Sequence, residues 1–195
     1  MSTKFPNLLL VRTAATELDH QGRICGKLDV PLCEAGMAQA RETARELAER
    51  QIKVIYRAPC MAASQTAELL AAKWNARIKI ETALGNVDFG LWHGRKLLEL
   101  KNKQPKLFRN WTDHPEMICP PGGEAICHVQ KRIRDFLKIA GKKHDATTIA
   151  IVVSAPVAAV IRNEYHGGEL GELWCNLKAD AAWLDLKMTE SVLVN

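Results

Sequence analysis

The chain has 195 residues, is 47% hydrophobic and 25% charged, and carries a formal net charge of +5. These proportions exclude an extended disordered chain, and the length suits one domain with a substantial core. No apolar stretch approaches the ~20 residues that cross a bilayer, and the N-terminal segment lacks a signal peptide's separate apolar core and cleavage site. A cytoplasmic protein that binds no membrane is expected.

In chain order, strand and helix alternate. Asn7–Arg12 (NLLLVR) is an apolar run suited to a buried central strand. Pro31 and Gly36 bracket a turn before a long helix, about Glu34–Arg50, with Met37, Ala40, Ala44, Leu47 and Ala48 at helical spacing. Lys53–Arg57 reads as a second strand stopped by Pro59. Met61–Asn75 reads as a helix with Ala67, Leu70, Ala71 and Trp74 on one side, and Arg77–Glu81 alternates like a strand with one wetter face. This β-α-β-α-β order predicts an α/β sandwich with parallel neighbours.

The stretch 82–123 is irregular and rich in Gly and Pro. It holds Trp92 and Trp111 and room for short helices at about Arg95–Lys101 and Lys106–Thr112. It reads as a cap-like insertion in a single domain spanning 1–195. Glu124–Lys142 follows as a helix with an apolar stripe through Ile126, Val129, Ile133 and Phe136. Thr148–Val153 is another buried strand, Ser154 and Pro156 open a helix running to about Tyr165, and Leu173–Leu177 and Ala182–Lys187 read as late antiparallel edge strands.

Basic residues cluster locally at Arg95–Lys106 and Lys131–Lys143, which read as solvated helix faces. No concentrated patch with stacking aromatics is present, so nucleic acid is not an expected partner. The six cysteines show no metal-ligand spacing, and the six histidines are scattered, so no metal and no cofactor is expected.

Several separated motifs carry a resemblance. LLLVR-TAAT follows the first strand. Arg23–Ala40 reads RICGKLDVPLCEAGMAQA, Ala58–Ala67 reads APCMAASQTA, Leu84–Gly94 reads LGNVDFGLWHG, Pro120–Glu124 reads PPGGE, and Val152–Ser154 reads VVS. In this order and spacing the chain resembles the histidine phosphatase (phosphoglycerate mutase-like) superfamily from about Leu8 to Leu186. The resemblance implies a three-layer α/β/α sandwich with a mostly parallel sheet. It also implies a site that passes a phosphoryl group through a nucleophilic histidine, clamped by two arginines, with a second histidine and a glutamate acid.

On this sequence Arg12 matches the first arginine. Thr13 stands at the nucleophile position, Ala62 at the second arginine, Asn86 at the acid and Ala155 at the second histidine. Phosphohistidine chemistry needs an in-line imidazole, cations around the phosphoryl oxygens and a proton for the leaving oxygen. Threonine without a base, an amide and two methyl groups supply none of these. The expected function is therefore a pseudophosphatase, with no functional catalytic residue, that binds a protein partner or a small ligand in the residual cleft; a homodimer is compatible with this reading. The alternatives are an active phosphatase or phosphoglycerate mutase-like enzyme, or an enzyme of altered chemistry using Thr13, Arg12, Asn86, His93 or Cys60.

Arg12 reads either as a residual anion contact or as the partner of a local acid such as Asp19 or Asp29. Gly26, Asp29, Pro31 and Gly36 read as turn and capping residues. Phe89 and Trp92 read as core or pocket wall, His93 as a structural or surface histidine, and Cys60, near a helix start, as an inert buried thiol.

Overall fold

The apolar run Asn7–Arg12 forms strand β1, whose four middle residues are buried. In the computed structural model, which describes residues 7–117, 119–144, 147–166, 170 and 182–187, β1 lies inside a five-stranded sheet. The other strands are β2 (Val54–Arg57), β3 (Arg77–Ile80), β4 (Ile149–Val153) and β5 (Trp183–Lys187), in the order β3-β2-β4-β1-β5. β1, β2, β3 and β4 run parallel, and β5 pairs antiparallel to β1. All five residues of β4 are buried, as a central strand covered on both faces requires.

The helices are α1 (Glu17–His20), α2 (Glu34–Glu46), α3 (Met61–Trp74), α4 (Leu97–Lys103), α5 (Pro105–Asp113), α6 (Ile126–Lys143) and α7 (Ala155–His166). The connections from β1 through α2 to β2 and through α3 to β3 move the same way along the sheet, which the right-handed crossover rule puts on one face, and α2 and α3 do pack together. The return from β3 to β4 reverses direction and places α6 on the other face. α2 packs on α3 and α6 on α7, completing the α/β/α sandwich. The chain therefore leaves β1 and β4, which are neighbours, toward opposite faces. Their C-terminal ends form the switch point, where open α/β sheets place their ligands.

Three expectations are corrected. α2 ends at Glu46 rather than near Arg50, because Leu47 caps it and gives its carbonyl to the Trp74 indole N–H at 2.7 Å. Gly36 lies inside the first turn of α2 and is buried, so it does not bracket a turn. The two short helices of the middle stretch sit at Leu97–Lys103 and Pro105–Asp113, divided by Gln104, with Pro105 at the start of the second. The strand expected at 173–177 lies outside the described residues. One apolar cluster runs from Leu8, Ile55 and Val152 of the sheet through Phe89, Trp92, Leu100 and Trp111. Among the described residues no helix is long and apolar enough to cross a membrane.

On the α6 side the Tyr56 hydroxyl meets His144 Nε2 at 2.9 Å, with Phe136 edge-on to the Tyr56 ring at 5.2 Å. Burial lowers the pKa of His144, and the nearby Lys79 and Lys143 lower it further. A histidine held below its unfolded value of about 6.5 favours folding fully above that pH. That contribution is lost as the pH falls toward the folded value. Urea midpoints measured from pH 8 to pH 5 should fall on the acid side of about 6.5, and His144→Gln should flatten that fall. Equal slopes for the two proteins would refute this.

Candidate active site

The candidate site lies at the ends of β1 and β4. Arg12 is in register with Val153, and the Thr13 N–H donates to the Val153 carbonyl at 2.8 Å. Thr13 and the Ser154–Ala155 pair thus leave the sheet side by side. The Ala14 N–H reaches Thr66 Oγ1 at 3.4 Å, and that hydroxyl donates to the Ala62 carbonyl at 2.8 Å. Ala62 lies one turn back on α3, buried with Leu32 and Ala40 and packed against Ala14. The Ser154 hydroxyl donates to Asn86 Oδ1 at 2.7 Å. The ends of β1 and β4 thus bring together Thr13, Ser154 and Asn86, with the Ala14 N–H held by Thr66 one turn on from Ala62.

Asn86 is clasped on three sides. Its Oδ1 also accepts from its neighbour Val87 N–H at 2.8 Å, and its Nδ2 donates to the Gly26 carbonyl at 2.8 Å. The side chain ties the 84–88 loop to the end of β4 and to the 23–28 loop. An amide so engaged is a brace, and it has no proton to deliver at neutral pH.

The residues that match the motifs elsewhere hold the loop after β1. Gln39 Oε1 accepts from Ala15 N–H at 3.1 Å, and Gln65 Oε1 accepts from Leu32 N–H at 2.7 Å. Thr16 and Asp19 form a reciprocal capping box over α1. Asp29 Oδ1 accepts from Met61 N–H at 2.6 Å, at the start of α3. Cys33 caps α2, accepting from Gly36 N–H, and its thiol donates to the Ala15 carbonyl at 3.3 Å.

A second set of contacts fixes the 86–94 wall. Glu124 Oε1 accepts from Asp88 N–H at 2.9 Å and pairs with Arg132 at 3.0 Å, and Arg132 also donates to the Ala83 carbonyl. Gly90 is in the left-handed region, and a Cβ there would strike the backbone of Pro121 and Gly122. His93 Nε2 accepts from Phe89 N–H at 2.9 Å and from Lys27 N–H at 3.3 Å. Accepting at Nε2 places the proton of the neutral ring on Nδ1. His93 is thus a structural histidine, as the sequence leads one to expect. Phe89 and Trp92 are core, 1% and 4% exposed.

Burial pushes the Cys25 thiol up to about 12, and the charges of Asp19, Cys60 and Asp29 add to it. Burial also raises Cys60, more than the backbone hydrogen bond from Ala63 lowers it. Neither thiol is a ready nucleophile. Among the described residues no cluster of three or more His, Cys, Asp or Glu is placed to hold a metal ion.

The model of the histidine phosphatase superfamily (branch 1) matches residues 8–193. The chain belongs to the histidine phosphatase superfamily. It is 32% identical to phosphoserine phosphatase 1 of Hydrogenobacter thermophilus over 86% of this chain and 79% of that protein. It is 25% identical to phosphoglycerate mutase-like protein 4 of Arabidopsis thaliana over 97% of this chain and 79% of the other. The solved alpha-ribazole phosphatase of Shigella flexneri superposes with a TM-score of 0.79 at 20% identity, covering 95% and 92% of the two chains, a likeness of fold.

Sequence reasoning missed the bracing work of Gln39, Gln65, Thr66 and Arg132. Arg132 does carry a signal, since it sits beside the inward stripe Val129–Ile133–Phe136, where a guanidinium needs buried acceptors. The two glutamines and Thr66 lie within motif segments, and nothing in the sequence names the backbone N–H groups they serve.

Proposed function

We propose that this histidine phosphatase superfamily member no longer forms a phosphohistidine and works as a binding protein, a pseudophosphatase. On this reading it is one domain whose 82–123 stretch walls a ligand crevice, and Arg12 offers a remaining anion contact. The observation that carries the reading is Thr13 at the β1 end, where the superfamily resemblance implies a nucleophilic imidazole, together with the engaged amide of Asn86 where it implies an acid. Ala62 and Ala155 add two further positions without charge or donor. One lost oxyanion-clamping group costs on the order of 10²–10³ in rate, and losing the nucleophile closes the covalent route altogether. With uncharged Thr13, Ala62, Asn86 and Ala155 at these positions, a neutral or singly anionic ligand, or a protein partner, fits better than a multiply charged phosphate.

A second reading, an active phosphate-monoester hydrolase, is favoured by the name of the Hydrogenobacter relative and the breadth of that match. One experiment separates them. Purified protein is assayed with O-phosphoserine, 3-phosphoglycerate and p-nitrophenyl phosphate beside Arg12→Ala, and both proteins are melted with the same compounds, inorganic phosphate and carboxylates. The pseudophosphatase reading expects no turnover and an Arg12-dependent rise in melting temperature with a singly anionic ligand. Turnover that disappears in Arg12→Ala would establish the second reading instead.

A further inference from the structure

Two stretches beside the candidate site, 22–28 and 86–96, are joined in two different ways. Up to Ile24 the join is main chain: the Ile24 N–H donates to the Arg95 carbonyl at 3.0 Å, and the Gly94 N–H donates to the Ile24 carbonyl at 2.8 Å. Past Ile24 it passes through side chains, and the ring of His93 is at its centre. Nε2 accepts from the Lys27 N–H at 3.3 Å on one stretch and from the Phe89 N–H at 2.9 Å on the other. The ring lies so close over Gly26 that a Cβ there would strike it. The Gly26 carbonyl in turn holds Asn86 Nδ2 at 2.8 Å, and Asn86 Oδ1 takes the Ser154 hydroxyl at 2.7 Å. His93 thus packs directly on the segment that anchors the brace at the end of β4.

An imidazole nitrogen accepts hydrogen bonds only while it is bare. Once protonated, Nε2 is itself a donor and faces two other donors, so both bonds are lost. The charged ring has one acid close by, Asp88, whose Oδ1 lies 3.6 Å from Nε2. The hydrogen bond from Lys27 Nζ, and then that from the Gly90 N–H, hold the Asp88 carboxyl below its ordinary range, so it stays ionised while a histidine titrates. The other charges on these elements are engaged elsewhere. Lys27 Nζ sits on Asp88 at 2.8 Å and Arg132 on Glu124 at 3.0 Å. Arg95 donates to the Leu91 carbonyl, and Arg23 to the Gly94 carbonyl and Gln21. His93 therefore has two sets of partners, main-chain donors when neutral and a carboxylate when charged, and it cannot serve both at once.

We propose that His93 is an acid-sensitive latch: neutral, it fastens the 26–28 segment to the 86–94 wall; protonated, it turns to Asp88 and releases that segment together with the Asn86 clasp. The main-chain pairing of 22–24 does not involve the ring and persists, so the release is local. The candidate site is braced at neutral pH and loosened in acid. This holds whether the site binds its ligand or hydrolyses it.

The test follows amide hydrogen exchange by NMR on the full chain from about pH 8 to about pH 5, the span in which imidazoles titrate. Corrected for the intrinsic effect of pH, exchange of the Lys27 and Phe89 amides should rise about tenfold or more in acid, with the midpoint at which the His93 Cε1 proton shifts. The side-chain NH2 resonances of Asn86 should move with the same midpoint. The Ile151 amide in β4 reports opening of the whole fold, to which His144 contributes, and should change far less. His93→Gln, whose Oε1 accepts at every pH, should keep both amides protected throughout. If that variant fails to fold, the ring nitrogen shifts of the wild type decide: Nε2 should be bare at the alkaline end and gain its proton as the two amides are released. Any one of these results would overturn the latch: His93 titrates while both amides stay protected, His93 does not titrate in this span, Nε2 carries the proton at the alkaline end, Ile151 is released equally, or the acid release survives in His93→Gln.

Discussion

Trp111→Ala should lower the free energy of unfolding by about 3–5 kcal/mol, the cost of emptying a large aromatic site. Trp111 is 1% exposed and stands at the centre of an aromatic group, with Trp92 at 5.0 Å, Phe89 at 5.8 Å and Phe108 at 6.1 Å, all edge-on. Such pairs add to the burial of the rings themselves. In a chain of this size the loss corresponds to a fall in melting temperature on the order of 10 °C. The effect should reach the crevice, because Phe89 belongs to the segment that carries Asn86 and His93. Urea unfolding of the variant beside Trp111→Phe, which keeps a ring, measures it. A loss below about 1 kcal/mol would mean that α5 is not tied to the core as described.

Gly36→Ala is expected to be destabilising by about 2–3 kcal/mol, as overpacking against rigid backbone is. The sign is the informative part. Gly36 lies within α2, where helix propensity alone would make alanine the better residue by about 1 kcal/mol. A Cβ at this position would run into the Ala15 carbonyl, which also accepts from the Cys33 N–H at 3.1 Å and from its thiol. The obstacle is main chain, fixed from two sides, so it cannot swing away as a side chain would. The loop holding Thr13 and Ala14 must shift to make room. Chemical denaturation beside wild type decides the matter, and a more stable Gly36→Ala would show that α2 does not approach the loop so closely.

The strands were legible because buried strands need apolar runs: NLLLVR became β1, and TIAIVV contains β4. The apolar stripe of α6 placed that helix well. What could not be read was whatever depends on a backbone group arriving from elsewhere. Gly36 looks like a turn residue until Ala15 is seen against it. The end of α2 is set by Leu47, whose carbonyl serves Trp74 of α3, while the polar residues beyond would have continued a helix on propensity alone. The candidate site follows the same division. Motif spacing pointed to Thr13, Ala62, Asn86 and Ala155, and the structure sets Thr13 beside the end of β4 and Asn86 against Ser154. The clasp of Asn86 on Gly26 and Ser154 was invisible, since an asparagine in a loop says nothing of which carbonyl it will meet.

The pairing of β1 has a consequence for how the molecule comes into being. Leu8 lies beside Ile149 on one side and Leu186 on the other. During synthesis the first strand emerges early and waits for both of its neighbours, which are made only in the last third of the chain. Such long-range pairings are slow to form and leave apolar strand edges exposed meanwhile. α2, β2, α3 and β3 can assemble among themselves first. The candidate site, set where the ends of β1 and β4 meet, is then among the last parts of the protein to form.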